Sequence, residues 1–119
     1  MIEDNYRCPI CINNYIETIK TLYTCKKCKY IPNCLTELEY LICIDSKIKK
    51  LPNSLYNLKY LYINNTQILK IPKTLYNLKK IICYNTPNIE IPYTLKQIEY
   101  IETFNSNVDY NNKSIINKL

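Results

Sequence analysis

With 119 residues, the chain has room for one small domain. It contains no Gly and no His, so it lacks the glycine-rich loops that hold phosphates and the commonest general base, and we expect no enzyme. The formal net charge of +6 comes from lysines spread along a chain whose aromatic residues are almost all Tyr, which favours a solvated basic surface over a nucleic-acid site.

The first thirty residues are rich in cysteine. They contain Cys8-x2-Cys11 and, thirteen residues later, Cys25-x2-Cys28. Two such pairs offer four thiolates to a tetrahedral ion, each pair from one tight turn. The chain has seven cysteines, an odd number, and no recognisable secretory signal, so we expect a reducing intracellular compartment. The sequence therefore predicts a structural Zn2+ site at Cys8, Cys11, Cys25 and Cys28 within an N-terminal cap, residues 1–30.

Two other roles for these cysteines stay open. Cys28 coincides with a core position when the register of the repeats described next is extended backwards, and Cys43 and Cys83 occupy another core position. The stretch "TLYTCKKCKYIP" could therefore be a slightly shortened first coil with packed thiols. A redox-active dithiol is the second alternative.

From Ile31 onward the sequence repeats every twenty residues without an insertion. We call these segments blocks and number their positions from 1 to 20. The blocks are 31–50, 51–70, 71–90 and 91–110, and a C-terminal tail, 111–119, follows. They read "IPNCLTELEYLICIDSKIKK", "LPNSLYNLKYLYINNTQILK", "IPKTLYNLKKIICYNTPNIE" and "IPYTLKQIEYIETFNSNVDY".

The positions of each block carry a structural pattern. Position 2 is always Pro, position 5 is always Leu, and positions 1, 8 and 11 are always Leu or Ile. Alternation around positions 10 to 14 predicts a short strand, and the proline predicts a turn. One such coil cannot bury its own apolar edge, but stacked coils can. We predict an α/β-type repeat solenoid, mostly strand and loop, with short parallel strands on the concave side, turns or 3-10 segments on the convex side, and a small Cys-rich N-terminal cap.

This pattern resembles the leucine-rich repeat family in its twenty-residue form, "LPxxLxxLxxLxLxxNxI", over residues 31–108. The resemblance implies a solenoid that binds proteins. At the family's Asn column this chain has hydroxyl residues instead: Ser46, Thr66, Thr86 and Ser106. Such hydroxyls can still pair with local backbone groups. Asn88 stands where an apolar residue is expected, and we expect Ile89 to replace it after a local shift in register.

Two further resemblances concern the first cysteine pair and the composition. "CPIC" at residues 8–11 resembles the start of RING fingers, the zinc domains of ubiquitin ligases. A RING needs eight ligands and normally a His, whereas only Cys34 and Cys43 follow near enough here, so a degenerate RING-like ubiquitin-ligase adaptor is kept as an alternative.

The Ile-, Lys-, Asn- and Tyr-rich composition resembles that of repeat-rich proteins of large DNA viruses, which would place the protein in the host cytoplasm.

The side chains that flank the buried positions 11 and 13 should point out of the concave sheet. The large apolar and aromatic residues among them form a candidate partner-binding strip: Tyr40, Ile42, Tyr60, Tyr62, Ile82, Tyr84, Tyr100 and Phe104. Tyr is enriched at binding surfaces, and a contiguous patch of this kind usually marks an interaction site. The alternative is that strands favour Tyr and Ile whatever their role.

Together these features predict a non-enzymatic protein–protein interaction module. Its partner would be another protein bound on the concave face, and we expect no contact with a membrane, because no apolar run is long enough to span one. A zinc-ribbon nucleic-acid-binding protein is the remaining alternative, although we do not expect nucleic acid as the partner.

Overall fold

The structure, a computed structural model, describes residues 8–86, 88–106 and 108–109. The first seven residues of the predicted cap and the predicted tail, 111–119, lie outside the described residues. Within the described part the chain forms short strands and turns and contains no helix. It follows that no stretch described here is a helix of the length and apolarity needed to cross a membrane.

The strands form where inward and outward residues alternate. In the third block, Ile81 and Cys83 are buried between half-buried neighbours. Aromatic and β-branched residues favour this pleated, partly covered conformation. The described strands are β1 (Thr21–Thr24), β2 (Tyr40–Cys43), β3 (Tyr60–Tyr62), β4 (Lys80–Tyr84), β5 (Ile89–Glu90), β6 (Tyr100–Phe104) and β7 (Val108–Asp109).

Five of these strands form one parallel sheet, in the order β1-β2-β3-β4-β6. The residues at position 11 of the four blocks lie side by side across it: Leu41, Leu61, Ile81 and Ile101. Parallel pairing at a constant offset of twenty residues means that each block makes one complete coil. The predicted solenoid is therefore confirmed, as a parallel β-solenoid of about four turns.

The sheet begins before the first block. Thr21 in β1 lies opposite Tyr40 in β2, an offset of nineteen residues instead of twenty. The segment around "TLYTCKKCKYIP" is thus a coil shortened by one residue. The cysteine-rich segment and the solenoid consequently share one continuous sheet.

A smaller parallel sheet joins β5 and β7 on the side where each coil returns toward its next proline. An isolated bridge between Lys70 and Glu90 continues this pairing to the second block. Ile89 is fully buried whereas Asn88 is exposed, which confirms the predicted shift in register.

One apolar core runs from Cys8 to Ile101. Leu55, Leu58 and Leu61 are completely buried, and equivalent positions in the other blocks stack on them. Burying one such side chain contributes about 1.5–3 kcal/mol. Because each coil covers the apolar edge of the next, this contribution depends on neighbouring blocks being folded.

A sharp corner follows the strand of each block at position 15. The four residues there have φ between 53° and 57°: Asp45, Asn65, Asn85 and Asn105. Asn and Asp adopt this left-handed conformation more readily than other residues with a Cβ, and the chain has no Gly to use instead. The corner was not predicted, although an unbroken Asp/Asn column is a sufficient signal for it.

In the last two blocks the hydroxyl at position 16 links its coil to the preceding coil, whereas Thr66 Oγ1 donates to the Ile63 carbonyl of its own block at 3.1 Å. Thr86 Oγ1 donates a hydrogen bond to the Ile63 carbonyl at 2.7 Å, and Ser106 Oγ donates to the Cys83 carbonyl at 2.8 Å. Ser106 Oγ also accepts a bond from the Thr86 N–H at 2.9 Å. The predicted backbone pairing is thus present in these blocks. In the first block, by contrast, Ser46 Oγ is buried without a hydrogen-bond partner among the described residues.

Candidate functional site

The four predicted metal ligands lie in two tight turns. The Cys11 N–H donates to the Cys8 carbonyl at 3.1 Å, and the Cys28 N–H donates to the Cys25 carbonyl at 3.1 Å. The second turn directly follows β1, so the sheet fixes its position at the end of the solenoid. Each turn presents two cysteines three residues apart, which is the spacing of a chelating knuckle.

The structure brings these thiols into one group, which we call the thiol cluster. The Sγ atoms of Cys8, Cys11 and Cys28 all lie within 4.8 Å of one another, and those of Cys8 and Cys11 are 3.6 Å apart. Cys25 Sγ lies 3.2 Å from Cys11 Sγ. Four sulfurs around a tetrahedral zinc ion are about 3.8 Å apart, given Zn–S bonds of about 2.3 Å. Three of the thiols therefore fit one shared metal ion, and the fourth lies beside them.

Without a bound cation, burial keeps two thiols of the cluster, those of Cys11 and Cys28, protonated near neutral pH. Desolvation and hydrogen bonds with Cys25 and Cys8 raise the pKa of Cys11 well above its ordinary value. Desolvation and the neighbouring Cys8 raise the pKa of Cys28 to about 12. For Cys25 desolvation acts in the same direction, but hydrogen bonds from backbone N–H groups and the adjacent thiols outweigh it and lower its pKa to about 7. One thiolate can thus form near neutral pH, whereas further deprotonation needs a compensating positive charge.

The other cysteines do not join the cluster. Cys43 and Cys83 are buried at position 13, where loss of solvation raises the pKa of each thiol to about 12. Cys34 is half-buried, and its Sγ lies 4.0 Å from the Tyr15 hydroxyl oxygen. Over the described ranges, no second group of three or more cysteine or acidic ligands comes together.

The second candidate site is the outward-facing surface of the five-stranded sheet, which we call the sheet face. It carries the residues predicted for the partner-binding strip on neighbouring, in-register strands. Tyr40 and Phe104 are 41% and 68% exposed. The half-buried members are Tyr60, Tyr62, Ile82, Tyr84 and Tyr100.

Aromatic rings contact one another between adjacent coils of the sheet face. The Tyr40 and Tyr60 rings stack with centroids 4.6 Å apart, and Tyr84 meets Phe104 edge to face at 6.3 Å. These pairs are neighbours in the parallel register, so the repeat itself produces them. Rings held by such contacts lose little further entropy when a ligand covers them.

Polar contacts lie at one end of the same surface. Lys80 Nζ is 5.1 Å from the centroid of the Tyr100 ring, and the Tyr100 hydroxyl donates to Glu102 Oε1 at 2.7 Å. Lys80 and Glu102 therefore add both charge signs to a mainly aromatic surface, which favours a partner with polar groups around an apolar patch.

Two residues of the sheet face differ from the sequence prediction. Ile42, predicted to be exposed, is buried with only 8% of its surface accessible. It lies between Tyr23 and Tyr62 in the register of the sheet, and large side chains on both sides cover it. Tyr23, which is 50% exposed, was missed because the repeat was counted only from Ile31.

No protein-family model and no curated protein matches this chain. The two sites differ in what they can do chemically. The ligands that the described residues bring to the thiol cluster are all cysteines. A metal ion held by four cysteines has no open coordination position, so the cluster suits a structural metal ion. The sheet face offers area, rings and a few charges, which suits recognition of another molecule.

Proposed function

We propose that the protein is a non-enzymatic interaction module of the leucine-rich-repeat type, which binds another protein on its sheet face and holds a structural zinc ion in its thiol cluster. The observation that carries this proposal is the row of aromatic and apolar side chains on adjacent strands of the sheet face. Such a row gives a partner a contiguous apolar surface on a regular scaffold.

A protein suits this surface better than a small molecule. The rings are spread over all four blocks, from Tyr40 to Phe104, so a ligand that contacts them must be extended or broad. The tyrosines combine a large apolar area with a polar hydroxyl, as do the residues that dominate binding energy in protein interfaces. The partner that fits is a folded protein presenting an apolar patch with polar groups at its edge.

The zinc part of the proposal rests on the donor set and on the position of the cluster. Four cysteines in two knuckles are a ligand set that zinc prefers over hard cations such as magnesium. A zinc ion bound there would supply only structural cross-linking between the two turns. Cys8, Cys11 and Cys28 would hold it, with Cys25 completing the set after a small adjustment of its Sγ.

The repeat period and the composition support two further parts of the proposal. The twenty-residue coil with Leu or Ile at positions 1, 8 and 11 is the basis for assigning the leucine-rich-repeat type. An odd number of cysteines, all of them free thiols, suits an intracellular location, in the host cytoplasm if the gene is viral.

The experiment compares two matched pairs of substitutions. Tyr62→Ala with Tyr84→Ala removes two rings from the sheet face, and Tyr56→Ala with Tyr76→Ala removes two exposed rings from the turns on the other side. Immobilised wild-type protein is used to isolate a partner, which is then purified and titrated against all three proteins. Losing two interface tyrosines should weaken binding by about tenfold or more, because such anchors each contribute on the order of 1–2 kcal/mol.

Thermal unfolding of the same proteins separates binding from folding. We expect both double variants to melt within a few degrees of each other, since all four tyrosines are at least partly exposed. If the partner binds the sheet-face variant as tightly as the wild type, or loses affinity equally for both variants, the sheet face is not the binding site.

A further inference from the structure

A groove runs along one flank of the solenoid, on the side away from the sheet face. It lies where positions 17 to 20 of one block meet positions 1 to 3 of the next. Its main cavity has a volume of about 970 Å3 and adjoins a second of about 520 Å3, and Lys49 and Lys50 line both. A third, smaller cavity beside them is lined by Lys47 and Gln67 among others. We call these three adjoining cavities the flank groove.

The lining of the flank groove is strongly basic. Its lysines are Lys29, Lys47, Lys49, Lys50, Lys70 and Lys73, and no acidic residue lines any of the three cavities. The ion pairs found among the described residues join Lys20 and Lys59 to Glu37 and Glu39 instead. None of the ion pairs found among the described residues involves a lysine of the groove, although Glu90 lies beside Lys70 in the parallel pairing of the coils.

The floor of the groove is apolar. Leu51 and Ile71 are nearly buried beneath it, Leu69 is 53% exposed, and Pro72 and Pro92 complete the lining of the main cavity. An exposed leucine at the centre of a basic surface offers contact area to an aliphatic side chain as well as charge to an anion. The groove thus combines two recognition elements.

The local backbone explains why these side chains face one groove. Ile48 is buried at position 18, so Lys47 and Lys49 on either side of it point outward. The Glu90 N–H donates to the Leu69 carbonyl at 2.7 Å, and the Ile71 N–H donates to the Glu90 carbonyl at 2.9 Å. These bonds hold Leu69 and Lys70 in an extended segment.

The positive surface ends at the third block. Glu90 occupies the position that Lys50 and Lys70 occupy in the two preceding blocks. The three blocks from Lys50 to Glu90 span about 10 Å at a coil spacing of about 4.8 Å. This length matches a short stretch of extended peptide, at about 3.3 Å per residue.

We propose that the flank groove binds an acidic peptide segment that carries apolar side chains, independently of the sheet face. Carboxylates would lie against the lysines, and leucine-like side chains would lie on Leu69 and the prolines. A single-stranded nucleic acid fits less well, because base stacking needs aromatic platforms and Tyr30 is the one aromatic residue in the described lining. An anionic membrane also fits less well, since a flat lipid surface cannot enter a recess.

The proposal is tested with labelled probes and matched charge reversals. The probes are a peptide of alternating Glu and Leu, a peptide of alternating Glu and Ser, an oligothymidylate, and phosphatidylserine vesicles, each measured by anisotropy or co-sedimentation. The groove variant is Lys50→Glu with Lys70→Glu. The control is Lys79→Glu with Lys96→Glu, two exposed lysines outside the groove, which changes the net charge equally.

The expected result is saturable binding of the Glu/Leu peptide. The groove variant should weaken this binding by about tenfold or more, and the control pair by less than about twofold, because salt screens charges outside the contact. Leu69→Ser should weaken the Glu/Leu peptide and leave the Glu/Ser peptide unchanged. Tyr62→Ala with Tyr84→Ala should leave both peptides unchanged, which keeps this test separate from that of the sheet face.

Four results would overturn the proposal. Equal losses in the groove variant and the control would mean nonspecific attraction by net charge. Tighter binding of the oligothymidylate would assign the groove to nucleic acid, and groove-dependent sedimentation with vesicles would assign it to a membrane. Absence of saturable peptide binding by a protein that melts normally would show that the groove is not a peptide site.

Discussion

One core runs through the solenoid, but its first coil is joined to the next coil differently from the later ones. Between the later blocks, polar side chains on the turns bond backwards to the preceding coil. Ser54 Oγ donates to the Asn33 carbonyl at 2.6 Å, and Asn57 Nδ2 donates to the Thr36 carbonyl at 2.8 Å. The next block repeats both bonds from Thr74 and Asn77.

The first block is joined to the cysteine-rich coil before it by other, longer side-chain contacts. Cys34 Sγ lies 4.0 Å from the Tyr15 hydroxyl oxygen, and Thr24 Oγ1 donates to the Ile42 carbonyl at 3.4 Å. Cys34 replaces the hydroxyl residue at position 4, and Glu37 replaces the amide at position 7. Glu37 instead makes an exposed ion pair with Lys20 at 3.5 Å, which contributes little. Ser46 Oγ at position 16 is buried with no hydrogen-bond partner in the described part of the chain. The backbone bonds between β1 and β2 remain, and the thiol cluster lies in this same cysteine-rich segment.

This difference shows how a repeat protein can end. Side-chain hydrogen bonds that need a matching neighbouring coil are lost at the first block, because the coil before it has another sequence. A cross-link between two turns does not need such a neighbour. The following predictions test whether the thiol cluster takes over the role of these bonds.

The largest effect should follow removal of the zinc ion proposed for the thiol cluster. A chelator, or Cys25→Ser, should destabilise the protein by several kcal/mol, because structural zinc contributes up to about 10–16 kcal/mol in small domains. Hydrogen exchange should accelerate in β1 well before it does in β4. Cys34→Ser, outside the thiol cluster, is the control and should retain both the metal content and the slow exchange. If the protein binds no zinc, or exchange in β1 is unchanged by chelation, the cluster does not stabilise this end.

Core truncation should give the next largest effect, and a similar one in the first and second blocks. Leu41→Ala and Leu61→Ala remove equally buried side chains from adjacent coils. Each should lower the free energy of unfolding by about 2–5 kcal/mol, measured by urea denaturation of metal-loaded protein. A cost for Leu41→Ala far below that for Leu61→Ala would mean that the N-terminal coil opens separately from the rest.

The smallest effect concerns the hydroxyl column. Thr86→Val removes a donor to the Ile63 carbonyl and should cost about 0.5–1.5 kcal/mol. Ser46→Ala, by contrast, removes a buried hydroxyl that has no partner, so stability should stay unchanged or rise slightly. Both are measured by urea denaturation. Equal losses of stability in the two variants would contradict the difference described between the first block and the later ones.

The periodic features of the fold could be predicted because each appears four times. Proline at position 2 and the apolar residues at positions 11 and 13 predicted the turn, the strand and the parallel register, as at Leu61 and Ile81. Ile89 could be assigned to the core because it directly follows Asn88, which occupies a position that is apolar in the other blocks. Repetition thus supplied the comparison that a single sequence usually lacks.

Features outside the repeat could be predicted only in part. The sequence offered a metal site and a core position as alternative roles for Cys28, whereas the structure places it both in the thiol cluster and in the core cluster of the solenoid. The burial of Ile42 depends on Tyr23, which lies in the shortened coil. The flank groove combines lysines from four coils with an apolar floor, and no single block contains enough of it to be recognised.

The constant register has a consequence for how such a chain can change in length. Duplication of twenty codons would add one coil, and the coils next to it would have the same sequence pattern as those next to the original. The sheet would become longer by about 4.8 Å. Copying one codon within a strand would instead turn its buried residues toward solvent, because side chains alternate along a strand. Growth by whole units is therefore tolerated by this architecture, and each added unit would lengthen both the sheet face and the opposite flank of the solenoid.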